Sequence, residues 1–327
     1  MKYLITGGAG FIGGHLAEAL LTKGHQVAVI DDLSTGSLEN IKPLIKNPKF
    51  HFVIETILNT AIMDRLVSEC DIVVHLAAAV GVDLIIKDPI QVMETNVNGT
   101  EVVLKTAARY RKKVMIASTS EVYGKGTVEG QKNFTETDDR LLGPTTKSRW
   151  IYACSKSLDE FMGLAYCKKY DLPIVIFRFF NTVGPRQIGQ YGMVIPRFIK
   201  SALAGEPIRV FGDGTQSRCF CNVSDVVRAV ILLSQNPKAV GEVFNIGSTE
   251  EISIMDLAKK VKKMAKSRSA IEIIAYDKAY EPGFEDTQRR VPNILKIYKF
   301  IGWKPRKNLD QTLLEVIKYY KNRQKEV

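Results

Sequence analysis

The chain of 327 residues has no run of about eighteen uncharged apolar residues, so no membrane-spanning helix is expected. Its longest apolar stretch, Ile72 to Ile86, is broken by His75, Gly81 and Asp83 and reads as a strand, a loop and a helix start. The first strand begins at once and leaves no room for a signal peptide. Cysteine is sparse: Cys70, Cys154, Cys167, Cys219 and Cys221 are odd in number and scattered, and read as reduced thiols of a cytoplasmic protein. Cys219-Phe220-Cys221 lacks the two-residue spacer and the second pair of a zinc site, so no metal is expected. There is no fixed-period repeat and no low-complexity segment. Acidic residues are outnumbered, 35 against 46 basic ones, for a net charge of +11. The excess is dispersed. Its densest cluster, Lys259, Lys260, Lys262, Lys263 and Lys266, alternates with Val261 and Met264 at helical spacing and reads as a solvated helix face. No interleaving of aromatic and basic residues offers bases a stacking surface, so nucleic acid is not an expected partner. Part of the charge is available to a phosphorylated substrate.

What is present begins at residue 2. Lys2-Tyr3-Leu4-Ile5 reads as a buried strand, Thr6-Gly7-Gly8-Ala9-Gly10-Phe11-Ile12-Gly13 as a glycine-rich turn, and the residues after it show helical spacing. Strand, glycine turn and helix together suit a dinucleotide pyrophosphate. Gly7 permits the tight turn, Gly10 lets backbone N–H groups approach the phosphates, and Gly13 lets helix and strand pack closely. The helix N-terminus then faces the anion. The second strand, Gln26 to Ile30, ends in Asp31-Asp32. An acidic residue there accepts hydrogen bonds from the adenosine ribose and repels a 2′-phosphate, which favours NAD over NADP. Asp31 carries most of that expectation; Asp32 also fits a turn before Leu33-Ser34-Thr35-Gly36.

Strands are expected at 2–5, 26–30, 50–54, 71–76, 113–118 and 173–179, with helices at 11–22, 59–69, 89–110 and 152–170 between them. This alternation implies an α/β fold with a doubly wound parallel sheet. After Asn181 the pattern loosens into short strands and loops, with Phe211-Gly212-Asp213-Gly214 reading as a hairpin turn. Residues 1–180 with about 218–247 are therefore expected to form the dinucleotide-binding domain. Residues 181–217 with about 248–327 form a smaller, interleaved α/β domain for the substrate.

Tyr152 and Lys156 lie four apart, on one face of the expected helix 152–170. A free tyrosine is a poor base at neutral pH, and a lysine cation beside it would stabilise the phenolate. Upstream, strand 113–118 ends in Ser118-Thr119-Ser120-Glu121. Thr119 is placed to hydrogen-bond the same substrate oxygen as Tyr152.

These residues resemble the extended short-chain dehydrogenase/reductase family, in its nucleotide-sugar branch of epimerases, 4,6-dehydratases and decarboxylases. The markers are the glycine turn, Asp31, His75-Leu76-Ala77-Ala78, Asn96-Val97-Asn98-Gly99-Thr100, Thr119, Tyr152 with Lys156, Phe180-Asn181, and Arg218 before Asp225. The resemblance implies a Rossmann fold and a cofactor site of Gly7, Gly10, Phe11, Ile12, Gly13, Asp31, Asp32, Leu76, Ala77, Ala78, Asn96, Tyr152 and Lys156. It places Ser120, Asn181 and Arg218 on a UDP-sugar, with Asn181 and Arg218 at the diphosphate. It also implies a homodimer packed through helices near 89–110 and 152–170, using Leu158, Phe161, Met162 and Ala165. One departure is Thr56 in Glu55-Thr56-Ile57, where the family has an acidic residue near the adenine.

Three features point within the branch. Ser120-Glu121 stands where simple 4-epimerases carry small residues and thymidine-sugar dehydratases an Asp-Glu pair; GDP-mannose dehydratases also read Thr-Ser-Glu. Arg149-Trp150-Ile151-Tyr152 is similar to the approach to the tyrosine in lipid-modifying decarboxylases and apiose synthases. The segment Gly283 to Pro292 resembles that of UDP-glucuronate decarboxylases, with Arg290 at the position of an arginine near the sugar carboxylate. The epimerases' Arg-Pro-Gly-Asp is unmatched, since Glu281 precedes Pro282-Gly283. The resemblance thus implies UDP-glucuronate decarboxylation through a 4-keto sugar, with Tyr152, Lys156, Thr119, Glu121 and Arg290 catalytic. Epimerisation at C4, 4,6-dehydration and a non-catalytic NAD-binding role are the alternatives. A surface salt bridge to Glu285 or Asp286 is the alternative for Arg290.

Overall fold

The computed structural model describes residues 1–81, 88–125, 133–189, 193–279 and 287–325. Six apolar runs form strands in the first half: β1 (Lys2–Thr6), β2 (Gln26–Asp31), β3 (Phe50–Ile54), β4 (Ile72–His75), β5 (Lys113–Thr119) and β6 (Ile174–Phe179). Eight shorter strands follow: β7 (Thr182–Val183), β8 (Ile208–Phe211), β9 (Ser217–Cys219), β10 (Cys221–Asn222), β11 (Glu242–Ile246), β12 (Glu251–Ser253), β13 (Ile271–Ile274) and β14 (Arg289–Arg290). The large sheet has seven parallel strands in the order β11-β6-β5-β4-β1-β2-β3. Helices cover both faces, so β1, β2, β4 and β6 are buried on both sides and read as unbroken apolar runs. The strand order reverses between β1 and β4, which opens a crevice at their C-terminal ends.

Two helical expectations change in detail. The pattern 89–110 is Pro89–Met93 and Gly99–Tyr110 joined by a π-helical turn, Glu94–Asn98, that carries Asn96. The helix at 152–170 begins at Ile151 and runs to Tyr170.

The chain folds around separate apolar cores. Two lie on the faces of the large sheet. Another gathers Ile195, Phe198, Ile199, Val210, Leu257, Val261, Leu313 and Val316 from helices Val194–Ala204, Ile254–Ala265 and Leu309–Lys325 around β8. Helix Val223–Gln235 and β11 return to the large sheet. Residues 294–303, expected with the smaller part, also pack on the large core. Ile297 and Trp303 are fully buried there, and the Trp303 indole donates to Asp225 O at 3.0 Å. Asp225 Oδ2 accepts the backbone N–H groups of Arg306 and Lys307 at 2.9 and 3.0 Å, tying the C-terminal segment to helix Val223–Gln235.

Phe211-Gly212-Asp213-Gly214 is a turn but not a hairpin. β8 pairs in parallel with β13, while β9 pairs with β12 and β14. A local turn signal says where the chain reverses, not which strands then meet. The five cysteines are unpaired. Among the described residues no helix is long and apolar enough to cross a membrane, and no cluster of metal-ligating side chains occurs.

Candidate active site

At the crevice the glycine turn is fixed by its neighbours. Gly7 has φ +69°, and a Cβ there would stand 2.7 Å from Ala77 N. A Cβ on Gly13 would meet Gly7 O at 2.3 Å, so a side chain at either position displaces backbone. Gly10 precedes helix Phe11–Thr22 without any side-chain cap, and the first turn carries no acidic residue. Its leading N–H groups thus have no built-in anion and face the cavity. Asp31 closes the turn from the end of β2: Oδ2 accepts from Ala9 N and Oδ1 from Leu33 N, both at 2.9 Å. Burial raises its pKa, and those two N–H groups oppose the rise. Asp32 is a turn residue, as its Oδ1 accepts from the Ser34 N–H at 2.9 Å and hydroxyl at 2.6 Å.

A cavity of about 740 Å³ runs from this turn along the strand ends, a volume that suits a dinucleotide with room beyond it. Gly7, Gly10, Phe11, Ile12, Gly13, Asp31, Asp32, Leu76, Ala77, Ala78, Tyr152 and Lys156, all named from the sequence for the cofactor, line it. Asn96 does not. It is buried, with Oδ1 accepting from Ala79 N at 2.8 Å and Nδ2 donating to Ala79 O and Ser155 Oγ. It braces Ala79, which lines the cavity. Near the end of β3 the acidic lining residue is Glu55, one position before the expected Thr56.

Thr119, Ser120, Glu121, Tyr152, Lys156, Asn181 and Arg290 converge on the far end of the same cavity. Tyr152 is buried in contact with the Thr119 side chain. Burial pushes its phenol above the ordinary tyrosine range, and the Glu121 and Asp159 carboxylates push the same way, while Thr119 opposes. The expected pairing of Lys156 with Tyr152 is not the one observed. Lys156 Nζ donates to Asp159 Oδ2 at 2.6 Å, and both side chains are almost wholly buried. An opposite charge one helical turn on claims the ammonium group. Burial raises the Asp159 carboxyl, and Lys156 pulls it back. Below the pair, His75 bridges Thr6 Oγ1 at 2.8 Å and Thr100 Oγ1 at 2.9 Å. Burial and the Lys156 charge lower His75 to about 3, so its ring is neutral and structural.

Arg290, in β14, is 5 % exposed, which replaces the alternative of a surface salt bridge. Its Nη1 donates to Glu121 Oε1 and lies 3.4 Å from Ser120 Oγ. Residues 283–286 of the segment that suggested Arg290, with Glu281-Pro282, lie outside the described residues. Arg149, which the sequence supplied only as part of a motif, is 8 % exposed and holds Glu121 Oε2 at 2.7 Å. Burial alone would raise Glu121, but the two guanidinium charges prevail and lower it to about 2. Glu121 is therefore a carboxylate at any working pH and has no proton to give.

A smaller cavity of about 200 Å³ continues from this point. Arg218 lines it with Phe211, Phe220 and Tyr276, so Arg218 belongs to this extension and not to the large cavity. Asn181 lines both, with its Nδ2 donating to Cys219 O at 2.9 Å and its backbone at φ +28°. Positive φ at a non-glycine residue is a strained conformation of the kind found at ligand sites.

The chain is similar to known proteins over nearly its whole length. The family model described as GDP-mannose 4,6 dehydratase matches residues 4–316. A UDP-N-acetyl-alpha-D-glucosaminuronate decarboxylase from Bacillus cytotoxicus is 42 % identical over 321 residues, covering 98 % of each chain. A UDP-glucuronic acid decarboxylase 1 from Danio rerio is 34 % identical, over 98 % of this chain and 72 % of the other. The crystal structure of UDP-glucuronic acid 4-epimerase from Bacillus cereus, in complex with UDP-glucuronic acid and NAD, superposes with a TM-score of 0.87 at 33 % identity, covering 98 % of this chain and 99 % of that one.

Proposed function

The chain belongs to the GDP-mannose 4,6-dehydratase family, among the extended short-chain dehydrogenases/reductases, and from that premise we propose that it is an NAD-dependent decarboxylase of a UDP-linked hexuronic acid, UDP-glucuronate or its 2-acetamido form. The observation that carries this reading is Arg290: a buried guanidinium held against Ser120 and Glu121, in the same cavity as Tyr152. A carboxylate-binding cation beside a proton acceptor suits a sugar acid that is oxidised one carbon away from its carboxylate. The decarboxylase relatives support the same choice.

NAD fits the glycine turn, Asp31 and the uncapped helix start, and when bound it supplies the hydride acceptor and a positive ring charge. In its phenolate form Tyr152 takes the proton of the sugar 4-hydroxyl as C4 gives up its hydride, and Thr119 fixes that oxygen. The resulting 4-ketone lies β to the C6 carboxylate. The C5–C6 bond breaks, its electron pair moves through C5 onto the C4 oxygen, and neutral carbon dioxide leaves. Tyr152 and Thr119 stabilise the enolate oxygen by hydrogen bonds until C5 takes up a proton from water, which leaves a 4-keto pentose. Asn181 and Arg218 hold the diphosphate, with the aromatic faces of the smaller cavity open to the base.

Incubation with UDP-glucuronate and UDP-N-acetylglucosaminuronate in separate reactions should release one carbon dioxide per sugar consumed from at least one of them, followed by NMR of the product. Inversion at C4 without gas release would sink the reading in favour of the epimerase.

A homodimer is part of the same proposal. Leu158 and Phe161 on helix Ile151–Tyr170 are 44 % and 64 % exposed, and Ile90 and Met93 on the adjacent helix are exposed too. Such a patch suits burial against a second copy. Met162 instead packs inward against the core. The Phe161→Glu variant should sediment as a monomer where the parent sediments as a dimer; a parent that is monomeric at micromolar concentration overturns this. A cytoplasmic location is supported by the unpaired thiols.

A further inference from the structure

We infer that Asp159 is a positioning residue that withholds the Lys156 ammonium group from Tyr152 and so keeps the proton on the phenol in the resting site, an inference that rests on Tyr152 being the base of the reading above but not on which sugar it serves. Lys156 stands on helix Ile151–Tyr170 with Tyr152 one turn before it and Asp159 one turn after it. Its Nζ donates to Asp159 Oδ2 at 2.6 Å, and the two side chains are 3 % and 0 % exposed. A neutral phenol competes poorly with a carboxylate for an ammonium group. No hydrogen bond from the described residues reaches Asp159 Oδ1. The carboxylate therefore relies on Lys156, helped by the Thr100 side chain beside it.

The surroundings hold the pair in place. Thr100 Oγ1 lies 2.9 Å from His75 Nε2, and His75 Nδ1 lies 2.8 Å from Thr6 Oγ1, which also accepts the Ala77 N–H at 3.2 Å. This buried chain connects Asp159 to Thr6, the residue before Gly7 of the glycine turn. The other charged groups packed against the helix have partners of their own. Glu160, next in the helix, is held by Arg178 from β6 and by Arg140. Glu121, just after β5, is held by Arg149 and Arg290. His75, on β4, is neutral. Glu121 and Asp159 both raise the phenol pKa. A lysine already paired with a carboxylate does little to favour a phenolate, so ionisation of Tyr152 waits for the positive ring charge that bound NAD supplies. The proton taken from the 4-hydroxyl then stays on Tyr152 once that ring charge has gone. The phenol is thereby kept as a donor to the enolate oxygen. Without the Asp159 charge, Lys156 is an uncompensated cation one turn from Tyr152, and the phenolate forms at lower pH.

The test uses the full-length enzyme loaded with NAD, without sugar. Tyrosinate difference absorbance is followed against pH, and the scan of the matching Tyr152→Phe form is subtracted to isolate the ionisation of Tyr152. Asp159→Asn should move the midpoint down by about one pH unit. Asp159→Ser, which makes room for a water at the ammonium group, carries the same prediction if the Asn form does not fold. Asp159→Glu keeps the charge and should stay near the parent. The acid limb of single-turnover sugar oxidation should move with the absorbance midpoint. A midpoint that is unmoved or higher in the Asn or Ser form, or a Glu form that falls as far as they do, overturns the inference. A merely structural Asp159 would lower the melting temperature and leave the midpoint in place. Carbon dioxide release by the parent enzyme is read separately. A parent that releases none but whose Tyr152 midpoint still depends on the Asp159 charge refutes the decarboxylase and leaves the role of Asp159 standing.

Discussion

Replacing Tyr152 with Phe should cut turnover by about 10²- to 10⁴-fold while NAD binding changes little. The substitution removes one oxygen from a buried ring that packs with Ala79 and Val92, so the fold has no reason to move. It removes the proton acceptor at the 4-hydroxyl and one of two donors to the enolate oxygen. The glycine turn, Asp31 and Leu76-Ala77-Ala78 line the cavity without it. Fluorescence titration with NAD and single-turnover measurement of sugar consumption separate the two effects. A variant at parental rate would discard Tyr152 as the base. The pH profile adds a sign. Burial, Glu121 and Asp159 all raise the phenol pKa in the ligand-free site. Activity should therefore rise with pH along the limb that reports Tyr152, and the Phe variant should lose that limb.

The largest effect on stability is expected at Arg178, which does not line the cavity. Its guanidinium is 2 % exposed and forks onto Glu160, Nε to Oε1 at 2.9 Å and Nη2 to Oε2 at 2.8 Å. Nη1 reaches the Tyr123 hydroxyl at 2.7 Å. Arg178→Met leaves the buried Glu160 carboxylate only the Arg140 guanidinium at 2.5 Å and the Ser118 hydroxyl at 2.5 Å, and should cost about 3 kcal/mol, out of a total near 5–15 kcal/mol for a typical domain. Burial raises Glu160, and Arg178 reverses this, so its folded pKa lies below the ordinary carboxylate value. In the parent, that contribution is complete above the unfolded carboxylate pKa and is lost as pH falls through the depressed folded value. In the variant only Ser118 and Arg140 still oppose burial, so the lowering of the Glu160 pKa shrinks. The gap between parent and variant in urea unfolding should accordingly narrow as pH is lowered from 7 to 4. The double variant with Glu160→Leu should recover much of the loss. Equal midpoints for parent and Arg178→Met would refute the argument.

What was legible in the sequence is what the chain encodes locally. The glycine turn, the acidic end of β2 and the alternation of apolar strands with helices are patterns of spacing, and spacing fixes both the backbone and the side of the sheet a residue meets. Tyr152 and Lys156 shared a helix face for the same reason. Contacts between distant segments were less visible. Arg290 reaches Glu121 only because β14 lies beside β9 in the fold, and Arg149 joins them from a third segment. Asp159 stands three residues after Lys156 on the same helix, a spacing at which opposite charges meet, so its capture of Lys156 was legible and was passed over in favour of Tyr152. The turn at 211–214 failed as a hairpin because a turn motif carries no information about partners contributed by residues 251–253, 271–274 and 289–290.

The late return of the chain to its first core bears on how the protein is made. In β11, Glu242 lies opposite Val175 of β6, and Trp303 seals the same core. A nascent chain leaving the ribosome amino end first therefore holds β6, Ile174-Val175-Ile176-Phe177, along an open sheet margin until β11 has been made. That margin is an apolar strand with unused backbone donors and acceptors, the kind that associates with other chains. An interrupted translation product ending before residue 242 keeps that margin open and is a natural client for chaperones.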